Sequence, residues 1–422
     1  MCHRSCTIVE ITPVRDSMYD SCLVRQPFFD RNNALMGYEI RFRDTDEGRA
    51  ALVQSLLSGT FDIIRGGLPA FVACSRAQLL DSTFDAAEAM GTVLMMPPAL
   101  GPDNAVMEAL HAFRKKGGMI ALDGLDETPA PSEALAQFVS WVRMDLRDDD
   151  IRSVARVCDR VAQGKPKFMA DHILEETQYR MAVQLGFDAF QGPYFSRVET
   201  IAAADLPAST VAAMRLLGLA RDPNVPDRAL EDAVSTDPVL TFQLLRLVNS
   251  AAVGVRAVSS IGHALRVIGR TAFLRWLALA IAASRGAKSG VDQHLVRQAV
   301  ERGRLLEQLA GQGRDAGTLF LVGLFSLMDA VFRMPLHDIV SRVALGEDAK
   351  AALLDRSGPY AKPLAFAESY ELGMFESAMQ VATELGVMPD KLPELYTSAI
   401  SWTNEALGAV TAKPPERKLA AR

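Results

Sequence analysis

"ALMGYEIRFRD", residues 34–44, follows the apolar run "LVRQPFF" (23–29) after a gap of four residues and alternates polar with apolar side chains. That period of two is the pattern of a half-buried strand. Glu39 stands in it among Tyr38, Ile40 and Phe42. A buried acid is costly unless it is paired or holds a metal. Comparable runs at 22–29, 35–43, 70–75, 92–97, 119–124, 141–146, 167–171 and 188–195 give eight strand candidates, with helical patterns near 46–58, 76–90, 104–116, 150–163 and 174–185. Strands separated by helices indicate βα units and a mainly parallel sheet, and eight such strands are enough for a barrel of the TIM type.

The second half reads differently. From about 207 onward strand signals almost vanish. "TDPVLTFQLLRLVNSAA" (236–252) offers Asp237 as N-cap and Pro238 at the first helical position, followed by a dense apolar face. "SSIGHALRVIG" (259–269) opens another helix, and further helices are expected at 291–311, 316–333, 347–355, 373–386 and 393–408. The expected fold is therefore α/β plus all-α, a (β/α) barrel followed by a helical bundle. The small-residue stretch "VETIAAADLPAS" (198–209) marks the change, and there is no internal repeat. The division is residues 1–19 as an extension, 20–202 as the barrel, 203–400 as the bundle and 401–422 as a helix end with a charged, loose tail.

Length and charge narrow the function. At 422 residues two domains are the natural expectation. A net charge of -6 gives neither DNA nor an anionic membrane an electrostatic reason to bind. The most apolar stretch, "TAFLRWLALAIAA" (271–283), contains Arg275 and is shorter than the ~20 residues a bilayer span needs. The five cysteines form an odd set without a CxxC, consistent with free thiols in a reducing cytoplasm. Cys2, His3 and Cys6 suggest a metal site only weakly, because no second pair follows.

Chemistry in such a barrel is carried at the C-terminal ends of the strands. Polar residues at or near those ends are Glu39, Ser75, Asp123, Asp145, Asp171 and Gln191. Four carboxylates on four strands can converge on a cation; each can equally cap a helix or face solvent.

Here the motifs resemble a known family. "GYEIRFR" (37–43) is similar to the signature of EAL domains, the cyclic-di-GMP phosphodiesterase barrel. "MIALDGL" (119–125), "WVRMDL" (141–146), "FMADHIL" (168–174) and the closing "GFDAFQGPYFSR" (186–197) follow in the family's order. The resemblance implies two divalent ions, Mg or Mn, held by acids and an Asn, with a Lys assisting. Carried over, the chain keeps Glu39, Asp123 and Gln191, with Asp171 replacing a Glu. The Asn position falls on Ala73, the next acid on or near Met95, the second Asp of the pair on Gly124, the Lys on Arg143 and the last Glu on Leu174. Ala, Met, Gly and Leu bring no hard oxygen donor, so hydrolysis is expected to be lost and no cofactor is expected. Glu39 is then an inherited acid, paired with Arg41 or Arg43 or still touching a ligand. Arg43 matches the signature Arg, and Asp145 and Asp171 are the substitute ligands if metal-dependent cleavage of cyclic-di-GMP survives.

The second half resembles HDOD domains, which are related to HD phosphohydrolases, over about 203–400. The HD pair falls on Ser326 and Leu327, neither of which holds a catalytic ion. His337-Asp338 is a literal HD dipeptide about eleven positions further on and reads as a helix start after Pro335. His263 and His294 stand alone and are expected to be satisfied or exposed. The resemblance as a whole implies a cytoplasmic, non-catalytic signalling protein that acts through a partner protein. Binding cyclic-di-GMP without cutting it is the alternative.

Overall fold

The computed structural model describes residues 23–42, 45–81, 83–84, 91–98, 103–124, 138–147, 151–161, 165–196, 208–248, 260–284, 289–310, 315–343, 345–388 and 391–411. Arg43 and the Cys2–His3–Cys6 group fall outside these residues.

Eight strands close a barrel in chain order: β1 Leu23–Asp30, β2 Leu35–Phe42, β3 Ala70–Ala73, β4 Thr92–Met96, β5 Met119–Asp123, β6 Val139–Asp145, β7 Lys167–Asp171 and β8 Ala189–Phe190. β1 runs antiparallel to both β2 and β8, while every other pairing is parallel. The physical reason is the short link at residues 31–34, since a parallel neighbour needs a crossover of a dozen or more residues. The described helices of this half are α1 Asp46–Ser58, α2 Thr60–Arg65, α3 Arg76–Leu80, α4 Asn104–Lys115, α5 Ile151–Val161 and α6 Glu176–Gln184. Caps set the starts of several: Thr45 Oγ1 accepts from Gly48 N, Asp103 from Val106 N, and Ser75 forms a capping box with Gln78. Ser75 is thus a helix cap and not a site residue.

Alternation along the strands sends one set of side chains into the barrel. Phe28, Phe71, Val93, Met95, Ala121, Trp141, Met169 and Ala189 form one buried cluster. Two residues further along the parallel strands the same inward face carries Asp123, Arg143 and Asp171, so polar groups lie on top of an apolar plug.

The helical half contains α7 Ala208–Arg221, α8 Asp227–Ser235, α9 Pro238–Val248, α10 Ile261–Ala283, α11 Gly290–Leu309, α12 Ala316–Phe325, α13 Met328–Phe332, α14 Leu336–Arg342, α15 Glu347–Leu354, α16 Ala361–Glu371, α17 Phe375–Glu384 and α18 Leu392–Thr411. The single helix expected over 316–333 is broken at Ser326 and Leu327, where Ser326 Oγ donates back to Gly323 O at 2.7 Å. Helix α16 lies in a stretch that the apolar pattern left unassigned.

The two halves share a core. The largest hydrophobic cluster runs from Leu23 and Tyr38 through Leu305 and Tyr370 to Leu407. Polar contacts stitch the seam: Arg25 pairs with Glu301, Tyr370 Oη donates to Leu23 O at 3.0 Å, Gln26 Nε2 to Glu371 O at 3.2 Å, and Val291 N to Asn33 O at 3.0 Å. At the start of α11, a Cβ on Gly290 would lie 2.2 Å from Leu35 N, so only glycine lets this helix approach the β1–β2 hairpin. Helices α11 and α16 therefore lie over the mouth of the barrel.

Candidate functional site

Strand register builds the site. Asp123 is the Cα partner of Arg143 across β5–β6, and Asp145 of Asp171 across β6–β7. Arg143 then reaches three carboxylates. Its Nε donates to Asp123 Oδ1 at 2.6 Å and its Nη2 to Asp123 Oδ2 at 3.2 Å, a two-pronged contact. Its Nη1 donates to Glu39 Oε1 at 2.8 Å and lies 3.6 Å from Asp171 Oδ2. The Arg143 side chain is 13% exposed, and those of Glu39 and Asp171 are 6% and 5% exposed. Glu39 has a second cation in Arg41, whose Nε is 3.1 Å from Oε2 but not aligned as a hydrogen bond.

Charge explains how these groups titrate. Burial works against the Arg143 guanidinium, but Glu39, Asp171 and Asp123 together raise its pKa further above the ordinary range. Burial also pushes Asp171 up, yet the hydrogen bond from His172 and the charge of Arg143 outweigh it and hold the acid low. Asp123 goes the other way: burial raises it, Arg143 opposes, and the neighbouring Glu39 and Asp171 add to the rise.

Asp145 stands apart from this cluster. Arg147 Nη2 takes its Oδ2 at 2.6 Å, and His172 Nδ1 lies 3.2 Å from both Asp145 Oδ2 and Asp171 Oδ2. Gln191, just after β8, is 4% exposed, and neither atom of its amide has a hydrogen-bond partner. Next to it Gly192 (φ +147) sits so close to β7's exit that a Cβ would fall 2.4 Å from Ile173 N. Above the cluster a cavity of about 440 Å³ is lined by Arg41, Asp171, His172 and Gln191 from the barrel and by His294, Gln298, Glu301 and Glu371 from the helices.

A second cluster lies in the helical half, where the sequence placed the HD pair. Arg302 holds Glu371 in the same two-pronged manner, Nε to Oε1 at 3.0 Å and Nη2 to Oε2 at 2.6 Å, and its Nη1 donates to Ser326 Oγ at 2.8 Å. Gln298 Nε2 adds a contact to Glu371 Oε2 at 2.6 Å. His337 is far from this: its side chain is 78% exposed, at the start of α14. His263 is exposed as well. His294 departs from the expectation of a satisfied or exposed ring, being buried against Phe29 and Tyr38 with no partner for Nδ1.

The family model described as the HDOD domain matches residues 206–337. The helical half carries an HDOD domain. With the eight-stranded barrel ahead of it, the order of the two halves is the one expected from the motifs. Over 412 residues it is 26% identical to the cyclic di-GMP phosphodiesterase CdgJ of Vibrio cholerae, covering 93% of this chain and 94% of that protein. It is 23% identical to the uncharacterized protein YuxH of Bacillus subtilis, over 92% of this chain and 99% of that one. Among solved structures, the EAL-domain protein YkuI of Bacillus subtilis, in complex with cyclic-di-GMP and calcium, is 14% identical and covers 60% of this chain and 72% of that chain at a TM-score of 0.34. The EAL domain of Mycobacterium smegmatis DcpA is 16% identical, covering 41% and 88%, at a TM-score of 0.35.

Among the described residues no group of three or more His, Cys, Asp or Glu is disposed to hold a metal ion. Arg302, Glu371 and the Arg25–Glu301 pair are the residues that sequence reasoning missed. Glu301 and Arg302 fall on the helix expected over 291–311 and Arg25 on the strand expected over 22–29, whereas Glu371 lies in the unassigned stretch.

Proposed function

We propose that this chain is a non-catalytic cytoplasmic signalling protein. In this reading the barrel (20–202) and the HDOD bundle (203–400) transmit binding events to a partner protein instead of turning over substrate. The observation that carries it is the position of Arg143. A two-ion site needs several oxygen ligands per ion. The acids in this barrel already share one guanidinium, and Ala73, Met95, Gly124 and Leu174 add no side-chain oxygen. The residues present do not fit a pair of divalent ions. Arg143 bridges Glu39, Asp123 and Asp171 and offsets part of their charge without a metal.

The test is hydrolysis of cyclic-di-GMP by the purified full chain with Mg²⁺ or Mn²⁺, with Glu39→Ala as control. No turnover above that control is expected. Metal-dependent cleavage that disappears in Glu39→Ala would establish a residual phosphodiesterase, the activity in the name of the Vibrio cholerae relative.

A second reading, a sensor that binds cyclic-di-GMP without cutting it, is favoured by the cavity over the mouth and by the unpartnered amide of Gln191 in its lining. Titration calorimetry separates the two. Saturable heat weakened by Arg43→Ala supports the sensor, and silence at high micromolar nucleotide disposes of it.

A further inference from the structure

The helical half holds a cavity of about 650 Å³, well within the size of small-ligand sites, that lies away from both acid clusters. It is bounded by the end of α7, the middle of α10, the second half of α11 and the start of α12. The HD position, Ser326, lies at the opposite end of α12, roughly 14 Å further along at 1.5 Å per residue. Three guanidiniums line the cavity, Arg221, Arg275 and Arg304, against a single carboxylate, Glu307. In a protein whose net charge is -6 this is a local excess of the opposite sign.

Glu307 is shared. Arg275 pairs with its Oε1, and Arg304 Nη1 lies 2.6 Å from its Oε2. One carboxylate thus answers two cations, and the buried Nε atoms of both Arg275 and Arg304 have no hydrogen-bond partner. Burial pulls the Arg221 guanidinium below its ordinary value, so an anion beside it would offset the cost of desolvation. Thr271 and Thr318 add hydroxyls to the lining, and α12 begins there without a side-chain cap on its first amides. Planar guanidinium forks, hydroxyls and free helix amides are the groups that recognise phosphate oxygens.

We propose that this cavity binds a small phosphate-bearing anion, a phosphomonoester of about mononucleotide size. None of its lining residues lines the barrel mouth cavity, although α11 runs along both. It would give the HDOD domain a ligand of its own.

The experiment is titration calorimetry of the full chain with inorganic phosphate, ribose 5-phosphate and adenosine monophosphate, each at low and high salt. The expected result is saturable heat, one site per chain, tighter for a phosphomonoester than for inorganic phosphate and weakened by salt. Arg304→Gln removes a charged donor and is expected to weaken binding about tenfold or more. Because Arg304 also packs over Trp402, the exposed Thr271→Glu is the second variant. It puts a carboxylate at the rim without touching the core and is expected to weaken binding by a similar factor. Heat from none of the three probes, or heat unchanged in Thr271→Glu, overturns the proposal. Equal affinity for inorganic phosphate and the two esters overturns its claim on ligand size.

Discussion

Arg143 in the barrel and Arg302 in the helical half each set one guanidinium among carboxylates, in folds that share nothing. They differ in how fully the acids are paired. Arg302 and Glu371 have side chains only 6% and 8% exposed, and Ser326 and Gln298 complete their hydrogen bonds. The barrel cluster sets three acids against Arg143 and leaves Asp123 27% exposed; the cavity beneath α11 and α16 meets it at Asp171 and meets the other cluster at Gln298 and Glu371. A fully paired cluster expresses itself as stability. An acid-rich one keeps the means to respond to what enters the cavity.

The largest effect that separates them is in the fully paired cluster. Arg302→Ala strands the Glu371 carboxylate in the core, and breaking a buried pair costs about 3–5 kcal/mol. Urea unfolding should show that loss, and a change below about 1 kcal/mol would mean that Glu371 finds water or another donor. Arg143→Ala should cost less, about 1–3 kcal/mol, because solvent reaches Asp123, while Arg41 stays beside Glu39 and His172 beside Asp171. A barrel variant more damaging than the bundle variant would reverse the comparison.

A pH-dependent effect tests the seam between them. Burial, with Arg25 and Arg297 nearby, pushes His294 from its ordinary 6.5 down to about 3. The folded protein keeps the ring neutral while the unfolded chain protonates it below about 6.5. Unfolding therefore binds a proton between pH 6.5 and 3. Stability attributable to His294 is complete above that range and falls by about 1.4 kcal/mol per pH unit as the solution is acidified within it. His294→Phe should flatten this part of the profile in thermal unfolding at pH 7 and pH 5. An identical pH dependence in variant and parent would remove His294 as its source.

How much of this could be read from the chain follows from the range of each interaction. All eight strands sit on runs of apolar residues, because alternation is local. The direction of β1 was implicit in the four-residue gap before β2, which is too short for a crossover. That Arg143 stands where the EAL motif has Lys is visible in "WVRMDL"; that it turns onto Glu39, Asp123 and Asp171 depends on register across four strands. Arg25 and Glu301 are 276 positions apart, and no local pattern joins them. The anion cavity draws Arg221, Arg275 and Arg304 from three helices, and no local pattern joins them. The break at Ser326 was hidden because apolar spacing continues through it, and α16 because its run, "AKPLAFAESYE", carries a proline in its first turn, where proline is tolerated.

Manganese binding, followed by electron paramagnetic resonance on the full chain and on Arg143→Ala, reaches the central claim most directly. With Arg143 in place the carboxylate oxygens of the barrel are already engaged by its guanidinium, and no tightly bound Mn²⁺ is expected; removing the guanidinium should let Glu39, Asp123 and Asp171 take up the ion weakly. A parent protein that binds two Mn²⁺ tightly, and loses them in Glu39→Ala, would contradict the account.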